Sequence, residues 1–298
     1  MARFLLLATL LANTACARQE SARLSAMVAV IADDPAVAAW LQNPRAPIYV
    51  QAFVQFPAAL GDDVIFGIDS EFLDGTQAPV HVSGGDWMAL VGLQRTGKVW
   101  VARGTPATYA GKPSRDRTWE ILDLGQPLQA GVWYRLRTVV NFQTRRYVSF
   151  DLEGPGIRKT LDLSAWTVDY PNRMPFDRRA LTAFVFAMRG KDLLKAAASE
   201  AEVYFDDVTT GLPDGSPWLD DGFDTHPGPV PAQNHSVKAL LKGIAVSGYR
   251  QKEWYLERDS SRCGTVPLAF AHSGGRAALC DATLRKLSYP DWLKASAR

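Results

Sequence analysis

Three observations predict an all-β protein. About eight short segments have strand character, their links are rich in Gly, Asp and Pro, and long amphipathic helices are almost absent. Together they describe a sandwich or barrel of antiparallel strands. The composition can fill its core: 298 residues, 47% hydrophobic, 10% aromatic and 21% charged. That balance excludes disordered, collagen-like and coiled-coil chains. With 33 basic and 31 acidic residues the net charge is +2, which gives no global field for nucleic acid or an anionic membrane surface. Past the first twenty residues no run stays apolar for the roughly 18 residues of a membrane span.

The elements follow in order. Residues 1–17 carry one positive charge, Arg3, an apolar run from Phe4 to Ala12, and then Ala15-Cys16-Ala17, which fits the A-x-A cleavage pattern of an export signal. Thr14-Ala15-Cys16 also resembles the end of a bacterial lipobox, in which Cys16 would be lipidated and anchor the chain. Asn13 stands where that pattern has an aliphatic residue. Both routes imply an extracytoplasmic protein: periplasmic, secreted or anchored at the outer membrane. Residues 18–44 read as a helical or irregular segment, with Asp34-Pro35 as the cap and first position of a helix reaching about Gln42.

From Ile48 the period is two. Ile48, Val50, Ala52, Val54 and Phe56 share one face, and Tyr49, Gln51, Phe53 and Gln55 the other. Val64–Glu71, Trp87–Gln94, Val99–Arg103, Trp133–Asn141, Arg146–Leu152, Ala183–Arg189 and Glu202–Thr209 are further strands, with Lys191–Glu200 a helical insert. Pro-rich linkers follow Gly211. Residues 213–298 then read as linker and small appendage, stapled by a disulfide between Cys263 and Cys280. These two thiols are the even pair left in an exported chain once Cys16 is removed or lipidated.

The hairpin can be read in register. A three-residue loop, Phe142–Thr144, pairs Leu136 with Phe150, Arg135 with Asp151 and Arg137 with Ser149. A one-residue slip would flip every side chain, so burial of Leu136 with Phe150 selects the odd loop. It gathers Arg135, Arg137, Tyr147 and Asp151 on one polar face.

Gly131-Val-Trp-Tyr-Arg-Leu-Arg-Thr-Val-Val-Asn141 with Tyr147-Val-Ser-Phe-Asp-Leu-Glu-Gly154 resembles the central hairpin of concanavalin A-like (laminin G-type) jelly rolls, and Val203-Tyr-Phe-Asp-Asp-Val208 is similar to their last strand. The resemblance covers about 45–212. It implies a two-sheet antiparallel jelly-roll sandwich with short helical insertions and the C-terminal appendage. The superfamily holds lectins, adhesion domains, glycoside hydrolases and polysaccharide lyases, so the fold does not select a function.

Enzyme motifs of that superfamily are incomplete here. The segment nearest to the Glu-x-Asp-x-x-Glu strand of family-16 glucanases is Ile68-Asp-Ser-Glu-Phe-Leu-Asp74, in which Asp69 and Glu71 share a face about 6–7 Å apart. The Gln-x-His and Tyr-x-Lys-x-Gly strands of jelly-roll alginate lyases and the G-x-S-x-G elbow are absent. His81, His226, His235 and His272 lack metal-ligand spacing and read as loop or surface histidines.

Superfamily members often hold a structural calcium near the last strand, which would fall to Asp206 or Asp207. Alternation puts the two on opposite faces, so only one would serve a given ion; the other reading is an Asp that ties down a loop. No cofactor is required. A sugar ring's flat C–H face suits the aromatics and its hydroxyls suit Arg, Asp and Gln, which nominates Arg135, Arg137, Tyr147, Asp151, Tyr49 and Gln51 as glycan ligands. Without a complete catalytic constellation, the leading expectation is an exported carbohydrate-binding or adhesion protein that recognises a polysaccharide or glycan. The alternatives are a polysaccharide-cleaving hydrolase or lyase, with Asp69, Glu71 and Asp151 as the carboxylates, and a cell-envelope structural lipoprotein without a sugar ligand.

Overall fold

The structure, a computed structural model, describes residues 23–31, 35–73, 85–104, 118–173, 179–189, 200–225, 254–256 and 261–283. The leader with Cys16, the insert at 190–199, and His81, His226 and His235 lie outside the described residues.

In chain order the elements begin with β1 (Arg23–Ile31), α1 (Pro35–Gln42), β2 (Ile48–Gln55), β3 (Val64–Leu73), β4 (Gly85–Met88) and β5 (Val91–Leu93). Next come β6 (Lys98–Arg103), β7 (Thr118–Asp123), β8 (Tyr134–Asn141), β9 (Arg146–Gly154), β10 (Ile157–Asp162) and β11 (Asp169–Arg173). The last are β12 (Ala180–Arg189), β13 (Glu202–Gly211), β14 (Pro217–Asp221), β15 (Trp254–Leu256), β16 (Cys263–Pro267) and β17 (Arg276–Asp281).

The first sheet runs β15-β1-β12-β3-β5-β6-β7, with β4 beside β3 and β11 beside β4; the second runs β10-β9-β8-β2-β13-β17-β16, with β14 beside β13. All the named pairings are antiparallel. The protein is a two-sheet antiparallel jelly-roll sandwich.

The inner faces meet in one core. Ile48, Val50, Ala52 and Val54 of β2 face Phe66 and Ile68 of β3 and their neighbours, and Trp40 of α1 closes one end against Phe72 and Phe142. The Tyr147 hydroxyl crosses between the sheets and donates to Ala102 O at 2.6 Å.

Two expected boundaries change. The segment 18–44 holds the predicted helix, but β1 before it is an interior strand paired along its length with β12. Its run Leu-Ser-Ala-Met-Val-Ala-Val-Ile is buried on both faces, so it shows no alternation. The segment 213–298 supplies β14 to β17 to the two sheets rather than standing apart as an appendage. The expected disulfide is present: Cys263 lies directly opposite Cys280 across β16 and β17, and both are fully buried. Closing 17 residues is worth about 3 kcal/mol in the chain-entropy model.

The hairpin also differs in register. The loop is four residues, 142–145, and a bulge at Val148 adds one more to β9, so Leu136 opposes Leu152, Arg135 opposes Glu153 and Arg137 opposes Asp151. The two changes together keep the predicted faces for Arg135, Arg137 and Asp151. The bulge turns Tyr147 into the core, 1% exposed, and sends Val148 to solvent. Tyr147 therefore does not share the polar face with the arginines.

Candidate functional site

The inward-facing residues of the first sheet fill the core, so any site on this sheet belongs to its outer face. That face is mostly apolar around Val28, Ile65, Phe184, Phe186 and Tyr255. Carboxylates interrupt it. Asp69 and Glu71 stand on β3, Asp86 on β4 and Asp169 on β11, each at most 2% exposed. The pairings set their spacing. Thr182, Glu71, Met88 and Asp169 form one row across β12, β3, β4 and β11. Asp69 lies one step along β3, opposite Phe184, and Asp86 lies one step the other way, opposite Leu73. From strand dimensions, Asp69 and Glu71 are about 6–7 Å apart at the backbone, and Glu71 and Asp169 about 9–10 Å. The Thr182 hydroxyl holds the β3 backbone at Glu71, accepting from its N–H and donating to its C=O, both at 3.2 Å.

The same face has an aromatic end. Phe186, Gly67, Gly92, Trp100 and Ile121 form a row across β12, β3, β5, β6 and β7. The two glycines let Ile65 and the Phe186 ring pack against the strand backbone there: a Cβ on Gly92 would lie 2.5 Å from Ile65 Cγ2 and 3.3 Å from Phe186 Cζ. Trp100 meets Trp119 edge-on at 5.7 Å, and Gln94 Oε1 accepts from Trp100 Nε1. Ile121 is 49% exposed, so this end reaches solvent.

The outer face of the second sheet holds most of the predicted glycan ligands. Gln51, Arg137, Asp151 and Thr160 form one row across β2, β8, β9 and β10. Arg137 lies over the Tyr49 ring at 4.4 Å, Arg135 is ion-paired with Glu153, and Asp151 Oδ1 accepts from the Thr160 hydroxyl at 2.5 Å. The hairpin thus brings Arg135, Arg137, Tyr49, Gln51 and Asp151 together and omits Tyr147. Asp151 is on the opposite sheet from Asp69 and Glu71, so those three do not form one catalytic group.

Asp206 and Asp207 sit on this second face too, at a bulge in β13, where Asp207 has φ +45°. The bulge breaks the alternation expected of them, and both carboxylates turn to the loop between β16 and β17. Asp206 Oδ2 accepts from the backbone N–H of His272 at 2.8 Å and of Ser273 at 3.1 Å, and its Oδ1 accepts from Asp207 N–H. Asp207 holds His272 Nδ1 and the Ser273 hydroxyl, each at 2.5 Å. These bonds tie the loop down. Among the described residues no group of three or more His, Cys, Asp or Glu is placed to hold a metal. Burial pushes the Asp206 carboxyl up to about 6 and the charge of Asp207 adds to this, while the amide bonds oppose it.

Sequence reasoning missed Asp86, Asp169 and His272. Asp86 directly precedes the predicted strand Trp87–Gln94, but only the sheet order brings it and Asp169 beside Glu71. His272 is 65 residues from the aspartate that holds it; its neighbours in sequence carry no sign of that contact.

No protein-family model and no curated protein matches the chain. Solved structures similar to it include scytalido-glutamic peptidase with a transition-state analogue (12% identity over 66% of this chain and 82% of that one, TM-score 0.33). An alginate lyase from Pseudomonas aeruginosa (12% identity, 56% and 65%, TM-score 0.28) and a GH16 protein of the Bacteroides ovatus mixed-linkage glucan system bound to product (11% identity, 53% and 66%, TM-score 0.29) are also similar.

Proposed function

We propose that the chain is an extracytoplasmic carbohydrate-active enzyme that cleaves a polysaccharide on the outer face of its first sheet. The observation that carries this reading is the set of four buried carboxylates, Asp69, Glu71, Asp86 and Asp169, on one face whose other end is lined by Trp100 and Trp119. Asp and Glu are rarely buried to this degree unless they are paired, and clusters of carboxyls in one place are candidates for chemistry. Paired carboxyls are the equipment of glycosidic cleavage: one gives a proton to the leaving oxygen while the other activates water or attacks the sugar. Side chains two apart on a strand stand roughly parallel, so Asp69 and Glu71 stand side by side with about 6–7 Å between their backbones. The tryptophans offer flat faces to sugar rings further along the chain. The Cys263–Cys280 disulfide supports an oxidising compartment, and no helix among the described residues is long and apolar enough to cross a membrane.

The test is cleavage of a panel of neutral β-glucans and uronate polymers, read by reducing ends and by unsaturated products. Asp69→Asn and Glu71→Gln should each lower turnover by about a thousandfold, the scale of lost acid–base catalysis, with the fold intact by circular dichroism. Turnover unchanged in both variants would overturn the assignment. Retention of a polymer without cleavage would return the chain to the binding-protein reading.

A further inference from the structure

The loop 268–275 is held down with unusual expense for an exposed segment. Asp206 is fully buried and binds two of its amides. Asp207 takes a left-handed backbone conformation that non-glycine residues seldom adopt, and bonds both His272 and Ser273. Asp224 Oδ1 accepts from Gly275 N–H at 2.8 Å. Trp133, from the segment entering β8, donates its ring N–H to Phe270 O at 2.9 Å.

What these bonds fix in place is a set of rings. His272 stacks on Phe53 at 3.5 Å and meets Trp133 edge-on at 5.9 Å, while Phe270 meets Tyr204 edge-on at 6.0 Å. Phe270 is 52% exposed, and the His272 side chain is 34% exposed. Because Nδ1 is engaged by Asp207, Nε2 remains as the polar atom the imidazole can offer outward. Arg135 and Glu153 lie in the row next to Phe53. Rigid aromatic faces beside one oriented imidazole and an Arg–Glu pair suit a pyranose ring: its C–H face covers the aromatics and its hydroxyls meet the polar groups.

We propose that Trp133, Phe270 and His272 form a second, non-catalytic binding site for a pyranose chain, on the sheet opposite the carboxylates. The inference rests on reading the protein as carbohydrate-active and adds a surface that would keep a polymer near the protein. Fixing the rings before binding removes part of the ordering cost, which is what the Asp206 and Asp207 bonds supply.

The experiment is affinity electrophoresis in gels containing soluble mixed-linkage β-glucan or alginate, with full-length protein carrying Glu71→Gln so that the polymer stays intact. Phe270→Ala and Trp133→Ala in that background should each weaken retention about tenfold. Asp207→Asn should weaken it less, by loosening His272. Cleavage of a short oligosaccharide by the unaltered protein is scored separately, so failure of the first-sheet reading and failure of this site are distinguishable. Loss of retention in Phe270→Ala supports the site whether or not cleavage is found. Retention by neither polymer, or unchanged retention in Phe270→Ala and Trp133→Ala, overturns it. A change in sedimentation without a change in retention also overturns it, and would make the patch a contact between copies of the chain.

Discussion

On the outer face of the second sheet Arg135 pairs with Glu153, Arg137 lies on Tyr49, and Asp151 takes a bond from Thr160. On the outer face of the first sheet four carboxylates, each at most 2% exposed, sit among Phe184, Met88 and Leu73. Both faces are built by the same period-two pattern. They differ in depth: Arg135 and Glu153 are about one-third or more exposed, whereas Asp69, Glu71, Asp86 and Asp169 are withdrawn from water. Acids withdrawn from water are costly to place, and the proposed chemical role is tied to them for that reason.

Gly67 gives the largest stability effect expected from this contrast. A Cβ there would lie 2.2 Å from Val91 O and 2.8 Å from the Gly92 Cα, both backbone atoms of the adjoining strand. Nothing flexible can move aside. Gly67→Ala should therefore cost about 3 kcal/mol by overpacking, measured by chemical denaturation. A cost under about 0.5 kcal/mol, the range of ordinary surface changes, would mean that β3 and β5 are not held so closely.

Asp206 sharpens the comparison from the other side, as a deeply buried acid on the solvated sheet. Its folded pKa, about 6, is above the ordinary 3.8. The native state thus binds the proton more tightly than the unfolded chain. The stability it contributes is complete below about pH 4 and is lost as pH rises through about 6. Urea unfolding of wild type and Asp206→Asn at steps from pH 4 to 7 should show wild type losing ground to the variant as pH rises. His272 and Asp207 remain in both proteins, so the difference between the two curves isolates Asp206. Parallel curves would show that Asp206 does not carry this proton.

Local pattern made much of the sandwich legible. Ile48–Phe56, Val64–Glu71, Val99–Arg103 and Glu202–Thr209 are strands within a few residues of the structure's bounds, because each buries one face or runs apolar between turn residues. Trp87–Gln94 is split into β4 and β5 by a break at Ala89-Leu90, which periodicity does not register. β1 is hidden because both of its faces are buried, and β11, β14, β15 and β16 because they have five residues or fewer. Asp69 and Glu71 were visible as a pair since they are two residues apart. Asp86 and Asp169 were not, since strand order alone puts them nearby. In the hairpin the longer loop and the bulge at Val148 compensate for each other at Arg135, Arg137 and Asp151, but not at Tyr147.

The smallest expected effect belongs to the Arg135–Glu153 pair. Both side chains are about one-third or more exposed, at 33% and 41%. Water screens their attraction, and ordering two long side chains costs entropy, so the coupling should be about 0–1 kcal/mol. A double-mutant cycle with Arg135→Ala and Glu153→Ala, read by urea unfolding, measures it free of each residue's other contacts. Raising the salt from about 0.05 M to 1 M should remove most of it, because the screening length falls to about 3 Å. A coupling of 2 kcal/mol or more, insensitive to salt, would mean that the pair is effectively withdrawn from water. The two outer faces would then no longer differ in kind, and the second sheet would have as strong a claim to buried-charge chemistry as the first.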